Sequence, residues 1–139
     1  MSSHHLARRA RLVVGLTAGV LVVAACGSDG SAEPVRSYTL HLRAEDSEPE
    51  YVYIAEDPVD LRVGDEVTFE FDNTGSLPHD LQVVDPAGDA IGVSPVAAPG
   101  ATTSVTVLFE EPGLYRLNCL VDNHLTEHGM QAIVEVTDA

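Results

Sequence analysis

From about Val35 onward the chain alternates apolar and polar residues with period two, the pattern of strands with one face buried. Tyr38, Leu40 and Leu42 alternate with Thr39, His41 and Arg43. Val67, Phe69 and Phe71 alternate with Glu66, Thr68 and Glu70, and Val105, Val107 and Phe109 with Ser104, Thr106 and Glu110. Shorter strand candidates are Val52–Ala55, Leu81–Val84, Tyr115–Cys119 and Ala132–Val136. Turn signals separate them: Arg62-Val63-Gly64-Asp65, Asp72-Asn73-Thr74-Gly75, Asp85-Pro86-Ala87-Gly88 and Glu111-Pro112-Gly113. The acidic run Glu45-Asp46-Ser47-Glu48-Pro49-Glu50 reads as an exposed loop, because Pro49 is unsuited to a central strand. This segment pattern predicts an all-β domain in which two sheets pack face to face.

The first 25 residues belong to another physical class. Arg8, Arg9 and Arg11 precede the apolar run Leu12–Ala25, which is short for a bilayer span and of the right length for a secretory h-region. Val23-Ala24-Ala25-Cys26 resembles the lipobox of bacterial lipoproteins, in which the cysteine is lipidated and begins the mature chain. The expected organisation is a lipoprotein signal peptide over residues 1–25, a lipidated flexible tether over 26–35 rich in Gly and Ser, and one β domain over 36–139. Arg8-Arg9 leaves the general and twin-arginine export routes both open.

Charge narrows the partners. The 139 residues carry a formal charge of −15 and contain no lysine. After loss of residues 1–25 four arginines face 22 acidic residues, a formal charge of −18. Such a surface excludes a nucleic-acid partner, since phosphate binding needs basic side chains. It fits a solvated monomer, or one steered to redox partner proteins with a basic docking surface. With Cys26 assigned to the lipid, Cys119 is left as a single thiol in an exported protein, and metal ligation is the simplest occupation for it.

The chemistry is concentrated in Cys119-Leu-Val-Asp-Asn-His124-Leu-Thr-Glu-His128-Gly-Met130, with His79 upstream in Leu77-Pro78-His79-Asp80. A thiolate, two imidazoles and a thioether form the ligand set of a mononuclear electron-transfer copper site. On the residues alone the second imidazole is His124 or His128, and the weak axial donor is Met130 or an oxygen of Glu127 or Gln131. His79, Cys119 and Met130 would sit beside predicted strands, so the site would hang on loops at one end of stiff sheets.

Three further segments carry a family resemblance: Arg62-Val63-Gly64-Asp65-Glu66-Val67-Thr68-Phe69, Asn73-Thr74-Gly75-Ser76-Leu77-Pro78-His79, and Phe109-Glu110-Glu111-Pro112-Gly113-Leu114-Tyr115-Arg116-Leu117-Asn118-Cys119. Together with the Cys…His…Gly-Met loop they resemble the cupredoxins, the small blue copper proteins. The resemblance implies an antiparallel Greek-key β-sandwich of about seven or eight strands. It implies one copper ion on His79, Cys119 and His124, with Met130 as the long axial ligand and an edge of His124 at the surface. Asp80 stands where the family often has an asparagine that pins the two ligand loops together. The implied protein is a lipid-anchored single-electron carrier on the outer face of the cytoplasmic membrane. Copper delivery or scavenging without electron relay is the alternative, and an enzyme is disfavoured by the shortage of further histidines.

Overall fold

The computed structural model describes residues 35–56 and 60–139. The leader, the tether and Cys26 lie outside the described residues. Among the described residues nine strands follow in order: β1 (Ser37–Ser47), β2 (Glu50–Ala55), β3 (Leu61–Arg62), β4 (Glu66–Asn73), β5 (Gln82–Val84), β6 (Ala90–Val93), β7 (Thr102–Leu108), β8 (Gly113–Asn118) and β9 (Gln131–Thr137). They form a four-stranded sheet of order β2-β1-β4-β7 and a five-stranded sheet of order β3-β9-β8-β5-β6. The predicted two-sheet, all-β architecture is the one observed.

The sheets are mixed, however, and not wholly antiparallel. β1 runs parallel to β4 in the register Tyr38↔Val67 and Leu42↔Phe71, and β3 runs parallel to β9. Both pairings join strands that are not chain neighbours, where no tight hairpin dictates an antiparallel partner. The two strands not foreseen, β3 and β6, are short. β3 has two residues, and β6 is exposed along most of its length, so neither shows a clear alternation.

The alternating residues do face inward. Val67, Phe69 and Phe71 of β4 and Tyr115 and Leu117 of β8 are buried, as is Phe109 just after β7. Phe109 packs edge-to-face on Tyr115 at 4.7 Å and on Phe69 at 6.3 Å, a favoured arrangement for aromatic quadrupoles. The Tyr115 hydroxyl donates to the Glu111 carbonyl four residues upstream, which fixes the chain as it enters β8.

The acidic run proved to be strand. Glu45, Asp46 and Ser47 extend β1 and pair with Val52, Tyr51 and Glu50 of β2, leaving only Glu48 and Pro49 at the turn. Period two carries straight on from Leu42 and Ala44 to Asp46, whose side chain is 6% exposed. The exposed-loop reading fails because pairing with β2 and contacts to the 74–79 loop outweigh the low strand propensity of acidic residues.

At the opposite end Asp65 closes the turn before β4. Arg36 grips it with two hydrogen bonds, at 2.7 and 2.6 Å, while the Tyr38 hydroxyl and the Arg62 N–H also donate to it. Burial opposes ionisation of this carboxyl, but the Arg36 and Tyr38 hydrogen bonds prevail and hold it below the usual carboxylate range. A depressed folded-state pKa stabilises the fold above the unfolded value, and that stabilisation is lost as pH falls through the folded value. Asp65→Ala, which removes the acceptor shared by Arg36, the Arg62 N–H and the Tyr38 hydroxyl in a part-buried turn, is expected to cost about 1–3 kcal/mol in denaturant titration at pH 7. The difference from the parent should shrink when the titration is repeated in acid.

Candidate metal centre

The site is built from three chain segments at one end of the sandwich. His79 follows Pro78 and is held as a lone bridge to Ala97, its N–H donating to the Ala97 carbonyl at 3.0 Å and its carbonyl accepting at 2.7 Å. Asn73, at the end of β4, organises the approach. Its buried amide donates to the carbonyls of Leu77 at 2.7 Å and Ala97 at 2.9 Å and accepts from the Gly75 N–H. Cys119 directly follows β8, and Met130 directly precedes β9.

The loop between these two strands is closed by backbone bonds. The Cys119 N–H donates to the Met130 carbonyl at 3.1 Å, and the Met130 N–H donates to the His124 carbonyl at 2.9 Å. Gly129 has φ of +65°, a left-handed conformation that turns the chain back into β9. Three of the expected ligand residues are thus tied to one another before any side chain is considered.

The side chains converge. His79, Cys119 and His124 are buried, and their donor atoms lie within 4.8 Å of one another. Cys119 Sγ is 3.8 Å from His79 Nδ1 and 3.5 Å from His124 Nδ1, and the two Nδ1 atoms are 3.1 Å apart. Metal–donor bonds of about 2.0–2.3 Å at trigonal or tetrahedral angles place such atoms roughly 3.3–3.8 Å apart, so the triangle has the size of a coordination sphere. Met130 is fully buried as well. His128 lies outside the triangle: its ring stacks on Tyr51 at 4.1 Å and 7°, and its Nδ1–H donates to the Pro49 carbonyl. Glu127 and Gln131 are exposed, and Gln131 Nε2 donates to Asn118.

Burial favours the neutral form of two of the donors. Burial pushes the Cys119 thiol up, against the pull of the Asp80 and Val121 N–H groups and the Tyr53 hydroxyl. Burial also pushes the His79 pKa down, favouring the neutral, lone-pair form that a metal requires. Because ligation needs the thiolate, metal uptake releases the thiol proton, and apparent affinity should fall about tenfold per pH unit on acidification.

Asp80 does tie the segment of His79 to that of Cys119, by accepting rather than donating. Its Oδ1 accepts from the Leu120 N–H at 2.6 Å, next to Cys119, and its carbonyl accepts from the Tyr53 hydroxyl. His124 is only 3% exposed, so the expected surface edge is not present. Tyr51 meets it edge-on at 5.0 Å, and His128, stacked on the face of Tyr51, lies 6.4 Å from His124 ring to ring. Leu120, next to Cys119, is 47% exposed.

Sequence reading missed Asp46, Tyr51 and Tyr53. Continuing the β1 alternation would have turned Asp46 inward. In β2 the hydrophobicity of Val52 and Ile54, which face outward, masked the inward-facing tyrosines.

No protein-family model and no curated protein matches the chain. Solved structures do. An auracyanin from Roseiflexus castenholzii shares 20% identity over 75% of this chain and 98% of its own, with a TM-score of 0.56. Auracyanin A from Chloroflexus aurantiacus, a "blue" copper protein, shares 21% identity over 71% and 99%, with a TM-score of 0.53. Auracyanin B shares 19% identity over 76% and 91%, with a TM-score of 0.58. The chain has the cupredoxin fold. Within it, the donor triangle lies between strands β8 and β9 and the 74–79 loop.

Asn73→Ala removes three hydrogen bonds behind His79 and is expected to cost about 1–3 kcal/mol of stability. His128→Ala should leave metal stoichiometry, measured by elemental analysis after loading, unchanged, whereas His124→Ala should lower it.

Proposed function

We propose that this protein is a single-electron carrier with one copper ion held by His79, Cys119 and His124 and by Met130 as a weak axial ligand. The observation that carries the reading is the convergence of three buried donor atoms of the right chemistry at coordination spacing. When bound, copper supplies one-electron redox chemistry between Cu(I) and Cu(II), with soft sulfur and imidazole satisfying both states.

The chain's own residues supply rigidity and dryness. The Cys119–Met130, Met130–His124 and His79–Ala97 backbone bonds fix the ligands from behind, so the donors keep their places whichever charge the centre carries. Tyr51 and Tyr53 close the site from the β2 side and exclude water. Tyr51 and the partly exposed His128 pack against His124, which makes that side of the molecule the natural exit for an electron. Burial of all three donors disfavours delivery, which needs an incoming ligand to reach the ion, and disfavours catalysis, which needs an open coordination position.

The proposed setting is the outer face of the cytoplasmic membrane, with export directed by residues 1–25 and a lipid on Cys26. Its support is the sequence alone: the charged n-region, the apolar run and the small residues before the cysteine. The acidic surface would favour redox partners with basic docking faces, approached by a monomer on a tether.

Copper(II) added to the purified protein should produce an intense visible thiolate-to-copper band with reversible bleaching on reduction. Cys119→Ser should abolish the band, and His128→Ala should retain it. A colourless protein that holds only Cu(I) would sink the electron-carrier reading and favour delivery.

A further inference from the structure

One buried acid in contact with the metal centre has no part in the function above. Asp46 ends the inward face of β1, and its Oδ2 lies 3.2 Å from His79 Nε2. Its other contacts are donors from the neighbouring loop: the Ser76 N–H at 2.7 and 2.9 Å, the Leu77 N–H at 2.6 Å and the Ser76 hydroxyl at 3.2 Å. Arg43, the cation closest in sequence, pairs with Glu45 and Glu56 instead. Gly75 makes room for this approach, because a Cβ there would stand 2.5 Å from the Asp46 carboxylate.

An ionised carboxylate only accepts, so Nε2 of His79 carries the proton that points at Asp46. The lone pair is then left on Nδ1, the atom facing Cys119 and His124. A carboxylate behind a ligating imidazole fixes ring and tautomer and makes the ring a stronger donor. Its charge also acts on the metal through a water-poor interior, where Coulomb interactions are less screened than in solvent. Reduction adds one electron to the centre and lowers its positive charge by one unit, so the attraction to Asp46 is weaker in the reduced state.

We infer that Asp46 is a positioning residue for His79 and that its fixed charge biases the copper centre toward the oxidised state. The inference rests on the copper reading above, and two readouts separate them. In the metal-free purified protein, nitrogen–proton correlation spectra of the imidazoles should show His79 protonated at Nε2, and Asp46→Ala should yield a tautomer mixture. In the copper-loaded protein Asp46→Asn, which keeps the shape and an acceptor oxygen, should favour reduction about tenfold, a rise of about 59 mV for one electron. The visible band should persist in that variant. Gly75→Ala, which displaces the carboxylate without removing it, should shift the potential in the same direction.

A His79 proton on Nδ1 in the parent protein would overturn the inference. So would an unchanged potential in Asp46→Asn accompanied only by a lower melting temperature, the mark of a structural role. A parent protein that takes up no copper would instead defeat the copper reading, and the tautomer spectrum would then decide whether Asp46 positions His79.

Discussion

The structure depends on holding one sulfur and two nitrogens close together and away from water. Polar atoms in a dry interior are costly unless something satisfies them, and these three face one another at 3.1–3.8 Å. No one of them can supply the order, so it is imposed from behind. Asn73 shapes the loop before His79, Ala97 brackets the His79 backbone, and Asp80 reaches across to Leu120. The mixed sheets serve the same end by bringing β1 beside β4, which sets Asp46 and the β1–β2 hairpin against the loop that carries His79.

Much of this was legible in the sequence, for definite reasons. Period-two alternation is strong where a strand has one buried face, so β4, β7 and β8 could be read from Val67, Val105 and Tyr115 onward. Cys119, His124 and Met130 sit in one short stretch, and their convergence with His79 needed only a scaffold to hold two loops at one end. Strands β3 and β6 escaped because two residues, or four mostly exposed ones, give no periodic signal. The parallel pairings escaped because strand direction between distant segments is a tertiary property that no local pattern encodes.

The support around the centre was harder to read than the centre itself. An acidic hexapeptide with a proline looks like a solvated loop by composition, and composition takes no account of partners. Asp46 is buried because backbone N–H groups and an imidazole receive its charge, and none of these is adjacent in sequence. Tyr51 shows the same limitation. The nearby Val52 and Ile54 look more core-like, yet it is the tyrosine ring that packs on His124.

The hairpin that carries Asp46 and Tyr51 has a kinetic consequence. His128 meets Pro49 across 79 positions of chain, and His79 meets His124 across 45. Contacts so distant in sequence form late, after loop-closure entropy has been overcome, and folds dominated by them form slowly. The donor triangle is therefore completed only when the strands on either side have docked. Tight metal binding would report a finished sandwich, and a metal that arrives earlier would meet a lone cysteine–histidine loop whose other half is still elsewhere.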